Sequence, residues 1–175
     1  MSMTLIQTQT LGSNSASVVF SSIPQDGTDL VVKFSARTNA SDVIDTCLVD
    51  FNGTSSGFTN RSLMGFQTED QSFSFNDARR AGHATAANQT ANTFSSVELY
   101  IPNYAGATNK NVSVESATEG TSNYYEMLIG ATLWSNTAAI TSLTLRPFGS
   151  SNFVSGSIFS LYKITKGSSG GVVVS

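Results

Sequence analysis

Residue types that could do chemistry are scarce in this chain of 175 residues. It contains one histidine, His83, and one cysteine, Cys47. A zinc site would need a second His or Cys at ligand spacing, and a nucleophilic serine is typically carried by a G-x-S-x-G turn; neither pattern occurs. We therefore expect His83 to be a solvated loop residue that can be replaced by Ala without loss of function. Cys47, within "IDTCLVD", is expected to be a small buried hydrophobic residue.

The acidic residues are also few and scattered. Asp42, Asp45 and Asp50 lie close together in sequence, and Glu69 is followed by Asp70. A calcium loop needs about six oxygen ligands, usually in a D-x-D-x-D-G pattern, and a glycosidase needs two facing carboxylates. The sequence shows no such loop and places no such pair. It therefore predicts no catalytic residue, no metal and no cofactor.

Two further features could contact a ligand. Trp134 and the adjacent Tyr124 and Tyr125 could stack on sugars, although aromatic residues of β-sandwiches more often lie in the core or at an interface. Gly-rich stretches occur at 52–57 and 167–171. Neither follows a strand and opens a helix, so we interpret them as a turn and a linker rather than phosphate-binding loops.

Overall composition excludes several functional classes. The chain is 39% hydrophobic and 12% charged, with a net charge of −3. Its only adjacent basic pair is Arg79-Arg80, which is too little to bind nucleic acid. The sequence has no apolar run long enough to cross a membrane. The first ten residues lack a basic segment and an apolar core, so no secretion signal is expected.

Alternating apolar and polar residues predict strands throughout the chain. Residues 29–37 place Leu30, Val32, Phe34 and Ala36 on one face. The dipeptides Asp26-Gly27 and Asn52-Gly53 favour tight turns. Ten strands are predicted, near residues 4–11, 16–23, 29–37, 44–51, 62–66, 93–101, 110–117, 124–134, 139–146 and 157–165. The pattern indicates an all-β, antiparallel, jelly-roll-like sandwich of eight to ten strands.

The predicted domain organisation is simple. Residues 1–166 form one β-sandwich domain. Residues 76–92, rich in Ala, Asn and Thr and lacking large apolar side chains, are expected to be a long surface excursion between strands. Residues 167–175 form a Gly/Ser link followed by an apolar C-terminal arm.

Several stretches resemble a recurring β-sandwich module of tailed-phage virion proteins. They are "FNGTSSGFTNRSLMG" at 51–65, "NTFSSVELYIPNYAGATNKNVSVES" at 92–116 and "GATLWSNTAAITSLTLRPFGSSNFVSGSIFSLYKITKG" at 130–167. The resemblance covers roughly residues 25–167. It implies a non-enzymatic virion component, either a capsid decoration protein or part of a tail appendage, and it supplies no catalytic residues. Lys163 departs from the module, where glycine is frequent.

The strand near 157–165 carries apolar residues on both faces. Phe159 and Leu161 share one face, and Ile158, Tyr162 and Ile164 share the other. A strand of this kind must be covered on both sides. We expect a neighbouring subunit or capsid protein to contact Ile158, Tyr162 and Ile164, and the alternative is cover by the chain itself.

The C-terminal arm suggests a second contact. Val172, Val173 and Val174 would form an exposed sticky end if left free, so we expect them to dock on a neighbour by adding a strand to a sheet edge.

These features favour a capsid decoration (cement) protein on the outer surface of the virion, made in the host cytoplasm. Its partners would be the major capsid protein and copies of itself, with a trimer as the expected assembly. The alternative is a tail-fibre or receptor-binding tip that holds a host glycan. A hydrolase acting on host polysaccharide is the weakest hypothesis.

Overall fold

The fold was determined as a computed structural model, which describes residues 2–66, 69–76, 78–120 and 124–165. All regular structure in these ranges is β-structure. No helix long and apolar enough to cross a membrane occurs among these residues.

Twelve strands are present in the described ranges. In chain order they are β1 (Ser2–Thr10), β2 (Val18–Phe20), β3 (Asp29–Ser35), β4 (Ile44–Phe51), β5 (Phe58–Phe66), β6 (Glu69–Asn76), β7 (Arg80–Thr85), β8 (Ser96–Pro102), β9 (Lys110–Thr118), β10 (Glu126–Trp134), β11 (Leu143–Pro147) and β12 (Ile158–Thr165).

The strands form two antiparallel sheets. The large sheet has eight strands in the order β1-β12-β3-β8-β9-β10-β5-β6, and the small sheet has four in the order β2-β11-β4-β7. The predicted all-β antiparallel sandwich is therefore confirmed, with twelve strands rather than eight to ten. The jelly-roll assignment remains a prediction.

One apolar core lies between the two sheets. Alternate residues of β3, β8 and β9 point into it, as their period-2 patterns predict. From the small sheet, Phe20, Val49 and Leu145 face them. Trp134 stacks on Phe58 with ring centroids 6.1 Å apart, so an aromatic cluster closes one end of the core.

The predicted surface excursion at 76–92 is wrong. Residues 80–85 form β7, which pairs with β4 and packs against the large sheet, and Ala81 and Ala84 are fully buried. The small side chains that suggested a loop instead allow close approach between the sheets. Gly82, at φ +90°, sits where an added Cβ would lie 3.0 Å from the Ser116 and Val97 side chains.

The remainder of that segment is anchored rather than free. Main-chain bonds join residues 86–88 to residues 40–43. The Arg37 guanidinium donates to the carbonyl oxygens of Ala87, Gln89, Thr90 and Thr93 at 2.7–3.1 Å. One partly buried arginine thus satisfies carbonyls that sequence composition alone assigned to a solvated loop.

Candidate functional site

Exposed apolar side chains cluster on the outer face of the large sheet. On β10, Met127 and Ile129 point outward and are 70% and 62% exposed, and Leu63 on β5 is 66% exposed. Ile129 lies directly opposite Leu63 in the β5–β10 register. We call these three residues the β5–β10 patch. Isolated exposed apolar residues are ordinary, but cross-strand neighbours of this size form a contiguous patch.

A second apolar group lies on the same face at the other end of the sheet. Met3, Leu5 and Ile158 are exposed there, and we call them the β1–β12 patch. Tyr162 and Ile164 pair with Leu5 and Met3 and are half-buried. The structure therefore brings Ile158, Tyr162 and Ile164 to one open face, with Phe159 and Leu161 buried beneath. The predicted arm residues Val172, Val173 and Val174 lie outside the described residues.

A charged stripe separates the two patches. Lys33 on β3, Glu98 on β8 and Glu115 on β9 stand side by side in one row across the sheet. The Lys33 ammonium lies 2.7 Å from the Glu98 carboxylate, and this partner raises the pKa of Lys33. Glu98 and Glu115 are direct cross-strand partners, and like charges in this position destabilise a sheet.

Shallow depressions accompany the patches. One of about 320 Å³ is lined by Ser35, Ser96, Ile158 and Ser160 among others, and one of about 520 Å³ lies beside Met127 and the rest of the β5–β10 patch. In the row next to the charged stripe, between Ile158 and Met127, the side chains on β3, β8 and β9 are small. They belong to Ser35, Ser96 and Ala117. Such a surface can receive side chains from a protein partner.

The other concentration of polar chemistry is buried. His83 Nδ1 lies 2.6 Å from Glu126 Oε1, and Glu126 Oε2 accepts a hydrogen bond from the Tyr124 hydroxyl at 3.1 Å. The side chains of His83 and Glu126 are 8% and 1% exposed. Burial and the adjacent Glu126 raise the pKa of Tyr124 well above its ordinary value.

The predicted solvated loop position of His83 is therefore wrong. The residue lies in the middle of β7, where strand pairing with Thr46 directs it between the sheets. The Ser116 hydroxyl accepts a hydrogen bond from the His83 main-chain amide at 3.3 Å. A histidine activates a serine nucleophile through its ring, so this main-chain contact is structural. This geometry favours a role in positioning β7 on the large sheet.

The other candidate residues also take structural positions. Cys47 is fully buried, as predicted, and burial raises the pKa of its thiol. Asp50 pairs with Arg79 and with Arg146, and Ser151 donates a hydrogen bond to Asp45. Across the described ranges, no three His, Cys, Asp or Glu side chains come together as a metal site.

The aromatic candidates are likewise used inside the protein. Trp134 is 1% exposed and packs on Phe51 and Phe58, so it cannot stack on an external sugar. Tyr124 is half-buried and packs on Phe66, with ring centroids 4.5 Å apart. Tyr125 is exposed.

Sequence reasoning missed the β5–β10 patch as a surface feature. In "YEMLIGATLW" the large apolar residues Met127 and Ile129 alternate with Leu128, Gly130 and Thr132. The set with Leu128 points inward, and Met127 and Ile129 point outward. Trp134 supplied the missing signal. It shares the face of Leu128, and the largest ring of the chain belongs in the core.

Comparisons with protein-family models, with curated proteins and with solved structures found no significant match.

Proposed function

We propose that this protein is a structural component of a bacteriophage virion, a capsid decoration protein that binds between major capsid subunits on the outer surface of the shell and stabilises it. The observation that carries the proposal is the outer face of the large sheet, where two apolar patches flank a charged stripe. Contiguous exposed apolar patches on a protein surface often mark a site of association. The resemblance to virion β-sandwich modules supplies the biological setting.

Burial of the β5–β10 patch alone would contribute usefully to binding whichever partner covers this face, the capsid or another copy of the chain. Its three side chains are each about two-thirds exposed. At about 1.5–3 kcal/mol for full burial of one such side chain, covering the exposed two-thirds of all three provides roughly 3–6 kcal/mol before the costs of association. A decoration protein present in many copies needs no more than this from each contact, because neighbouring copies act together.

The proposal assigns no catalytic step to the chain. The one histidine of the sequence, His83, is buried between the sheets and hydrogen-bonded to Glu126. The contacts assigned to Ile158, Tyr162, Ile164 and Val172–Val174 are part of the proposal, with the major capsid protein and other copies of this chain as partners. A host glycan enters only if the protein is instead a tail tip.

Copy number in purified virions tests this function. Quantitative mass spectrometry of virions from the phage that encodes the chain should find hundreds of copies per particle. A handful of copies would place the protein in the tail and overturn the decoration role. Absence from virions would overturn the proposal as a whole.

Removal of the protein provides the second readout. Particles stripped of it should release DNA at a lower temperature, and adding back the purified protein should restore the wild-type value. A Leu63→Thr, Ile129→Thr variant should restore less, because it removes apolar surface from the outer face. The control is Val19→Thr on the outer face of the small sheet, where Val19 is also exposed.

A further inference from the structure

The outer face of the large sheet is complementary to itself. We propose that two copies of this protein pair face to face through their large sheets, about a two-fold axis that runs along β8. The partner of this face is thus a second copy of the chain. This inference rests on the proposed function for its role in the shell, but the pairing is a property of the isolated protein.

The strand order makes the symmetry possible. β8 has β3, β12 and β1 on one side and β9, β10 and β5 on the other. A two-fold axis along β8 places β3 over β9 of the second copy, β12 over β10, and β1 over β5. By the strand registers, Ile158 of one copy then lies over Met127 of the other, whereas Leu5 lies over Arg61.

Charges match under this operation. Lys33 and Glu115 occupy the same row, one strand to either side of Glu98. The axis therefore sets Lys33 of one copy over Glu115 of the second. The two Glu98 carboxylates lie near the axis and beside each other, and each Lys33, 2.7 Å from its own Glu98, offsets the repulsion between them. The pairing gives Glu115, which has no ion pair in the described part of the chain, an opposite charge.

Apolar side chains match in the next row. Ile158 of one copy lies over Met127 of the other, and each has a depression beside it, of about 320 Å³ and about 520 Å³ respectively. Ile129 lies over Ser160, at the rim of the first depression. Side chains that project and depressions that accept them thus alternate across the axis, as interdigitated sheet packing requires.

The contact area is sufficient for a stable dimer. The seven strands from β1 to β5, about 4.8 Å apart and contributing about seven residues each, present a face of about 800 Å². A standard protein interface buries about 800 Å² on each partner. The face is therefore of the size of an interface, whereas an incidental surface patch is smaller.

The decisive experiment uses charge variants of the isolated protein. Lys33→Glu should raise the dimer dissociation constant about tenfold or more, because six carboxylates then meet at the interface. Glu115→Lys places Lys33 of each copy opposite the introduced lysine of the other copy. It should weaken the dimer less than Lys33→Glu does.

A mixture of these two variants restores the opposite charges. The glutamate introduced at position 33 of one copy faces the lysine introduced at position 115 of the other. The unchanged Glu115 of the first copy faces the unchanged Lys33 of the second. Native mass spectrometry should then show heterodimer in excess over both homodimers.

The double variant Lys33→Glu, Glu115→Lys provides the matched control. It exchanges the two charges around Glu98 and should dimerise as the wild type does. Loss of dimer in the double variant, or a mixture with no heterodimer in excess, would overturn the two-fold pairing. A wild-type protein that stays monomeric at about 100 μM in sedimentation equilibrium would overturn it as well.

Apolar variants test the same geometry independently. Met127→Thr and Ile158→Thr should each weaken the dimer, since each substitution counts twice in a symmetric interface. Val19→Thr should leave it unchanged. A mass of three copies would contradict the two-fold pairing and support the trimer expected from sequence. If the isolated protein is monomeric while Met127→Thr abolishes particle binding, the face docks on capsid and the dimer is wrong, whereas the decoration role stands.

Discussion

Replacing His83 with Ala should destabilise the fold strongly, contrary to the expectation from sequence. The imidazole ring lies between the two sheets, and its Nδ1 is hydrogen-bonded to the Glu126 carboxylate at 2.6 Å. Glu126 is 2% exposed, so bulk solvent does not reach the carboxylate that the ring partners. The only other bond to that carboxylate in the described residues comes from the Tyr124 hydroxyl, on its other oxygen.

The magnitude follows from the cost of leaving a buried carboxylate without its partner. Removing one member of a buried pair typically costs about 3–5 kcal/mol, and a hydrogen bond to a charged group contributes about 1.5–3 kcal/mol. We expect His83→Ala to lower the free energy of unfolding by about 3 kcal/mol. That is a large fraction of the roughly 5–15 kcal/mol available to a folded domain.

Urea denaturation followed by tryptophan fluorescence measures this, because Trp134 is the only tryptophan and is buried. The matched variant is His83→Leu with Glu126→Met, which removes both polar partners and keeps similar volume. It should be more stable than His83→Ala, since no carboxylate is left unpaired. If His83→Ala unfolds within about 0.5 kcal/mol of the wild type, the reasoning is refuted.

Three further changes test other parts of the structure. Burial and Glu126 raise the pKa of Tyr124 above its ordinary 10.0. As pH rises, the unfolded chain therefore loses the Tyr124 proton before the folded protein does. The contribution of Tyr124 to the free energy of unfolding is intact below pH 10 and declines above it. Tyr124→Phe should flatten that decline in denaturation curves measured between pH 8 and 11. Gly82→Ala should lower the free energy of unfolding by about 2–4 kcal/mol in the urea assay, because the φ of Gly82 is +90° and an added Cβ would crowd Ser116. Unchanged stability would show that β7 tolerates a shift away from β9. Deleting residues 168–175 should weaken attachment to particles without changing the unfolding midpoint, and equal binding by the truncated protein would exclude a role for the valine arm.

Much of the sandwich could be predicted from sequence because its strands alternate cleanly. Leu30, Val32 and Phe34 of β3 point inward as expected, as do alternate residues of β8 and of β9. Strand ends were less accurate. β5 begins at Phe58 rather than 62, because Asn60 is buried through hydrogen bonds to Ala131 and Thr132 that no local pattern reveals.

The features that could not be predicted depend on distant partners. β7 consists of small and polar residues that become buried only because the large sheet lies against them. His83 looks like a loop residue until Glu126, 43 positions later, is placed beside it. The outward orientation of Met127 and Ile129 follows from strand pairing across the whole sheet. Local periodicity identifies two faces of β10 but cannot decide which one the second sheet covers.

The position of β12 also determines the order in which the protein can fold during synthesis. β12 lies between β1 and β3, and its register joins Thr165 to Ser2 at the far end of the chain. While the ribosome is still making the middle of the chain, β1 has no neighbour and one side of β3 has none. β1 must therefore wait, unpaired, until the chain has been made through β12. Such distant pairing makes folding slow, on the order of milliseconds to seconds, and leaves β1 open to chaperones and to nascent neighbours on the same polysome.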